Sequence, residues 1–228
     1  LTGASVNREA GFSMVTYTGT GSTGTVGHGF TKTPKVVITK SRSASGSWNY
    51  LDVVGNSTAE YGLFLNDNGG YTSYQGGTYW ADTLPTSTVF TVNSNASTNA
   101  SGVTYIAYCW TDIPGYSKMG RYIGNASTDG SYVHLGFRPA FVLLKRYNSA
   151  ASWVLHDNKR AGYNGDNDYL HPDQNLAESD GSTGTIDFLS NGFKLRMTAG
   201  THNDGTFIYM AFAEQPGTTP FDTFTNSR

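Results

Sequence analysis

The sequence predicts an all-β protein made of two tandem, similar β-sandwich modules of jelly-roll or Greek-key type. Three observations carry that prediction. The chain is written twice, its apolar residues fall in short β-prone runs, and its composition combines many rings with many turn formers. Of 228 residues, 14% are aromatic (12 Phe, 15 Tyr, 4 Trp) and 28 are Gly, while only 14% are charged. Disordered chains lack that much ring surface to bury. The Gly, Ser, Thr and Asn between the runs therefore read as turns.

The repeat sets the domain plan. GFSMVTYTGTGSTGTVGHGFTKTPKVVITKSRSASGSWNYLD, from Gly11, returns from Gly115 as GYSKMGRYIGNASTDGSYVHLGFRPAFVLLKRYNSAASWVLHD. Pro34 answers Pro139, Lys40 answers Lys145, Trp48 answers Trp153 and Asp52 answers Asp157, all at one offset. Near the ends, Ile106-Ala107-Tyr108 and Pro114-Gly115 answer Met210-Ala211-Phe212 and Pro216-Gly217. The expected plan is a lead-in over 1–10, a first module over 11–114, a second over 115–217 and a polar tail over 218–228. Each module is about a hundred residues, the size of an immunoglobulin-like unit. The chain does not begin with Met, which suggests a piece of a longer protein.

In chain order, strands are expected at Lys35–Lys40, Trp48–Val54, Tyr61–Asn66, Thr88–Val92 and Val103–Trp110. The second module repeats them at Ala140–Arg146, Trp153–Asp157, Thr185–Leu189, Gly192–Met197 and Thr206–Ala213. Phe193, Leu195 and Met197 alternate with Lys194 and Arg196, so one face points inward and the other meets water. The helix-like run is Pro172–Glu178. GTGSTG at Gly19–Gly24 has no following Lys and opens no helix, so it reads as a hairpin loop rather than a phosphate cradle. Trp48 and Trp153 lead equivalent strands and are expected in equivalent cores. Asp52 and Asp157 are expected to close the turns after those strands.

Several functions are excluded or disfavoured. Fifteen Lys and Arg against 17 Asp and Glu give a net charge of -2, too little positive charge for a general polyanion binder. No apolar run approaches the ~20 residues of a membrane helix, and no signal-peptide pattern is seen at the start of this sequence. One cysteine, Cys109, forbids an intrachain disulfide and a multi-thiolate zinc site; it reads as a small core residue. His28, His134, His156, His171 and His202 show no zinc spacing. The acids form no strand-borne pair for glycan hydrolysis, and no nucleophile elbow is present.

Two loops remain as candidate sites. NDNGGYTSYQGGTYW places Tyr71, Tyr74, Tyr79 and Trp80 among Gly, Ser, Thr, Asn and Gln, the vocabulary of a recognition loop. Sugars suit such a surface, since their C–H faces stack on rings while their hydroxyls meet amides. The second module offers Tyr163 and Tyr169 in its corresponding region. Burial of these rings over one end of a sandwich, or between modules, is the competing reading. Asn164–Asp168, with Asp166 and Asp168, is the local candidate for Ca²⁺, against a plain solvated turn.

The motifs also carry a resemblance. The Gly11 segment, TPKVVITKSRS with its SW, DTLPTSTVFTV, NASGVTYIAYCW and DFLSNGFKLRMT with IYMAFAEQP resemble a repeat domain of tail-fibre-like proteins of marine tailed phages. The resemblance covers nearly the whole chain, and TPFDTFTNSR looks like that family's natural end. It implies a virion tail appendage, assembled in the host cytoplasm and trimeric, whose tip attaches to a bacterial surface glycan or protein. It implies no cofactor and brings no catalytic motif, and the charge and hydropathy above give no expectation of nucleic-acid binding or membrane insertion. The expectation is thus receptor binding by non-covalent adhesion rather than enzymatic action. A tailspike-type glycan hydrolase and a structural spacer or decoration protein are the alternatives.

Overall fold

A computed structural model describes residues 3–71, 76–160, 164, 168–179 and 184–214. Its first strands are β1 (Gly3–Asn7), β2 (Phe12–Thr18), β3 (Gly24–Gly27), β4 (Val36–Ser41), β5 (Asn49–Asp52), β6 (Leu63–Phe64), β7 (Val89–Val92) and β8 (Thr104–Trp110). They are followed by β9 (Ser117–Ile123), β10 (Tyr132–His134), β11 (Phe141–Arg146), β12 (Val154–Asp157), β13 (Ile186–Leu189), β14 (Gly192–Leu195) and β15 (Thr206–Phe212). A π-helical turn spans Gly76–Trp80. The helix-like run at Pro172–Glu178 forms turns and irregular backbone instead. The lead-in supplies β1, which pairs with β2 from Gly3↔Thr16 to Asn7↔Phe12.

All the pairings are antiparallel. A six-stranded sheet has the order β1-β2-β8-β4-β5-β6 and a four-stranded sheet the order β12-β11-β15-β9. β3 pairs with β7, and β10-β14-β13 form a three-stranded sheet. The inner order β2-β8-β4-β5 of the first sheet is the order β9-β15-β11-β12 of the second. The sequence repeat is therefore also a repeat of strand pairing.

Strand alternation sends successive side chains to opposite faces, and three apolar clusters fill the spaces between four layers. Val15, Val37, Leu51 and Cys109 meet Val26 and Phe90 of the β3–β7 sheet. Val142, Leu144, Val154 and Phe207 meet Val133, Ile186 and Phe193 of the β10-β14-β13 sheet. Between the two central sheets, Val36, Ile38 and Tyr50 pack on Met119, Leu143, Ile208 and Met210. Both central sheets are thus buried over much of both faces. Cys109 is a core residue as expected, and burial pushes its thiol up to about 12.

Polar bonds repeat as well. Tyr17 OH donates to Thr98 O at 2.7 Å, and Tyr122 OH to His202 O at 2.5 Å. Asn99 accepts from Thr20 N and donates to Ser22 O; Asn203 accepts from Asn125 N and donates to Ser127 O. Asp52 and Asp157 close their turns by accepting from Val54 N and Lys159 N. The pairing also revises one equivalence. Phe12 pairs with Trp110 as Ser117 pairs with Phe212, and Met14 with Tyr108 as Met119 with Met210. Tyr108, not Ile106, is therefore the counterpart of Met210, because the connection from Asn203 to β15 is shorter than that from Asn99 to β8.

The two tryptophans meet in one central cluster, between the central sheets, and not in separate cores of their own copies. Trp153 is 1% exposed and lies between the central sheets, its ring 5.0 Å from Tyr50, with Nε1–H donating to Phe64 O at 2.9 Å. Trp48 is only half-buried. Replacing Trp153 by Ala is expected to cost about 3–5 kcal/mol, the range for deleting a large buried side chain; urea denaturation monitored by circular dichroism measures it.

Candidate functional site

The predicted ring loop splits in three. Trp80 has no exposed surface; the π-helical turn tucks it into the first core, edge-on to Phe90 at 6.5 Å. It is therefore a core residue and not a ring presented to a ligand. Tyr79 is half-buried against the same core and edge-on to Phe64 at 5.8 Å. Tyr71 closes the seam between the central sheets. Tyr74, Tyr163 and Asp166 lie outside the described residues. Tyr169 is half-buried against the second core, among His156, His171 and His202. Asp168 is described, and among the described residues no three His, Cys, Asp or Glu side chains gather as a metal site.

At the seam, Asp52 ends β5 and Arg121 reaches over from β9. Arg121 Nε and Nη2 donate to Asp52 Oδ2 at 3.0 and 2.8 Å, and Tyr71 OH donates to the same oxygen at 2.6 Å. The guanidinium lies 4.7 Å from the Tyr147 ring centroid and 5.5 Å from that of Tyr71. Tyr71 stacks on Tyr147 at 4.5 Å and on Tyr61 at 5.5 Å. Burial pushes the Asp52 carboxyl up, while Tyr71, Arg121 and the Val54 amide draw it back. Burial and the carboxylate together raise the Tyr71 phenol, so it stays protonated and donating. Gly55 turns the chain at φ +70°, and a Cβ there would stand 3.0 Å from the guanidinium. The Tyr71 hydroxyl is thus committed to the joint; Tyr61, at 38% exposure, carries the open end of the stack.

A second ring surface, not among the two candidate loops, lies on the six-stranded sheet. Phe12, Tyr108 and Trp110 share the face that packs on the four-stranded sheet, and Trp48 joins them. Phe12–Tyr108, Trp48–Tyr108 and Tyr108–Trp110 are 6.4, 6.1 and 6.2 Å apart, with interplanar angles of 14°, 24° and 24°. Phe12 and Trp110 approach to 5.1 Å. All four rings are half-buried, and Met14 beside them is 37% exposed. The counterparts in the second copy are Ser117, Met119, Met210, Trp153 and Phe212, all buried except the half-buried Phe212. The same face is therefore mostly covered in one copy and partly open in the other.

Where it is open, the rings replace smaller or aliphatic residues: Phe12 for Ser117, Tyr108 for Met210, Trp110 for Phe212. That contrast was a signal available in the sequence, hidden by the two-residue shift of β15. Near-parallel rings fixed by strands offer a flat apolar surface with indole N–H and phenol O–H groups at its edges. Lys40, which also has its counterpart buried in the second copy (Lys145), donates to Gly46 O at 2.5 Å.

Replacing Tyr71 by Phe leaves a buried carboxylate short of one donor and is expected to cost about 1–3 kcal/mol. Urea denaturation at pH 7 measures the loss, and an unchanged midpoint would show that the hydroxyl contributes nothing to the joint.

Residues 2–216 match the family described as "Domain of unknown function (DUF7483)", and the chain belongs to that family. No curated protein and no solved structure matches it.

Proposed function

We propose that this family member is the receptor-binding part of a phage tail fibre, which holds a host surface glycan without cleaving it. In this reading the chain is two tandem β-sandwich modules, over 11–114 and 115–217. The repeated strand order and the repeated capping bonds of Asn99 and Asn203 support that division. The tail-fibre motifs supply the context. The observation that carries the function is the row of half-buried rings Phe12, Trp48, Tyr108 and Trp110 on a rigid sheet face. Such rings stack on the C–H faces of sugars and lose little entropy on binding. Weak single contacts become strong when several chains of a trimeric fibre engage one surface together.

The test is binding of the labelled full chain to host-envelope polysaccharide, beside the Trp48→Ala variant. Loss of this end ring of the row is expected to weaken binding about tenfold, as for a hot-spot residue, with the fold retained. Full binding by the folded variant would remove this face from the site. Steady release of new reducing ends from the polysaccharide would favour a hydrolase instead, and no binding at all would favour a structural spacer.

A further inference from the structure

The second copy buries a histidine pair that the first copy lacks. His156 on β12 and His202, in the turn before β15, are fully buried, with their Nε2 atoms 3.0 Å apart. His202 Nδ1 lies 2.8 Å from Thr201 Oγ1, and His156 Nδ1 has no partner among the described residues. Two neutral proton arrangements make both contacts, and the one that leaves His156 Nδ1 a bare lone pair rather than an unpartnered buried N–H costs less. In it His202 Nδ1–H donates to Thr201, His156 Nε2–H donates to the bare His202 Nε2, and His156 Nδ1 keeps a lone pair. An unpartnered lone pair is a smaller burden than a buried cation whose added N–H has no acceptor.

A further proton has no place in this arrangement. At His202 Nε2 it would confront the N–H of His156. At His156 Nδ1 it would create that unpartnered buried cation. The surrounding groups offer no relief. Tyr169 sits 5.4 and 5.2 Å from the two rings. His171 packs on Tyr169, and its Nδ1 is 2.9 Å from Trp153 O. Arg160 is the nearby permanent charge, and the carboxylates on that side, Asp157 and Glu178, are paired with it. Burial first, then His202, His171 and Arg160, holds His156 well below the usual histidine range; burial brings His202 down to about 3.

The fold itself does not need this pair. The counterparts are Leu51 and Thr98, both buried in the first copy. Tyr17 and Tyr122 mark the equivalence, since each donates its hydroxyl to the carbonyl of the second member, Thr98 or His202.

We propose that the His156–His202 pair is an acid-operated latch, which on taking up protons opens and frees the Tyr169–His171 segment and the 199–203 turn from β12 while the first copy stays closed. Tyr169 rests on the imidazoles, and the Leu155–Leu170 bridge beside it (2.9 and 3.0 Å) is the contact that opening breaks. In the open state each histidine regains an ordinary value of about 6.5. The open form then binds more protons than the closed form as pH falls below 6.5, down toward the closed-state values. Its population rises by up to about tenfold per pH unit for each proton taken up.

The test is amide hydrogen exchange on the full chain at pH 7.5 and 5.0, corrected for intrinsic rates, for the native protein and for His156→Leu/His202→Thr, which imports the first copy's residues. Leu155, Tyr169 and Leu170 should lose at least tenfold protection at pH 5.0 in the native chain only, with Val37 and Leu51 unmoved. Equal pH responses in both proteins, or no local loss in the native one, would overturn the latch. Should the double variant not fold, imidazole NMR titration of the native protein decides. Two histidines that stay neutral below pH 5 until Leu155 and Leu170 open support it, and protonation of both near 6.5 in the closed fold ends it.

Discussion

Burial of one sheet face against another, in the middle of the molecule, is the constraint on which the remaining structure depends. The two outer layers could each cover only one side of a central sheet. The six-stranded and four-stranded sheets cover each other's second side through Val36, Ile38 and Tyr50 on one and Met119, Leu143, Ile208 and Met210 on the other. Asp52, Arg121 and Tyr71 then fix how the sheets sit. An unpaired buried charge costs several kcal/mol, so a slid arrangement that parted Asp52 from Arg121 would be penalised far more than an apolar mismatch. Lys145 acts in the same way. It is fully buried, burial lowers its ammonium to about 8, and it donates to Asn68 O at 2.8 Å and Ala151 O at 2.5 Å, one carbonyl from each copy.

Much of this plan can be read from residues. Lys40 and Lys145 follow the same strand and donate to equivalent carbonyls, Gly46 O and Ala151 O, as their shared offset implies. Asp52 and Asp157 close matching turns. The strands built on Val36–Ser41 and Phe141–Arg146 are legible because both their faces are apolar. β2 and β9 are not, since Ser13, Thr16, Lys118, Gly120 and Arg121 dilute their pattern. Trp153 shows the deeper limit. Alternation says which residues share a face of a strand, but not which layer that face will meet. Its burial was legible and its place between the central sheets was not. Trp80 is hard to place for a related reason: a π-helical turn has no two-residue period, so the sequence does not separate its inward ring from its loop neighbours.

The ring-bearing face follows from the same geometry. The six-stranded sheet is wider than the four-stranded sheet packed on it, and β1 lies wholly exposed at its edge. On the face toward the four-stranded sheet, Met14 and the rings around Tyr108 are only partly covered. Their counterparts Met119 and Met210 are sealed. A protein with no use for that open patch would be expected to line it with polar residues, as surface strands usually are. Here it carries four rings instead.

The two copies thereby act as controls for one another. Positions that agree in both, such as Tyr17 with Tyr122 or Asn99 with Asn203, hold backbone groups that any version of the fold must satisfy. Positions that differ while strand order stays the same cannot be demanded by the fold. Tyr108 against Met210 and Phe12 against Ser117 add rings where the face is open. His156 against Leu51 and His202 against Thr98 add titratable rings where the core would accept an aliphatic side chain and a hydroxyl. The first kind of difference changes what the surface can hold, and the second changes how the interior answers to pH. Each is tested most directly by giving one copy the residue of the other, because the fold has already accommodated both.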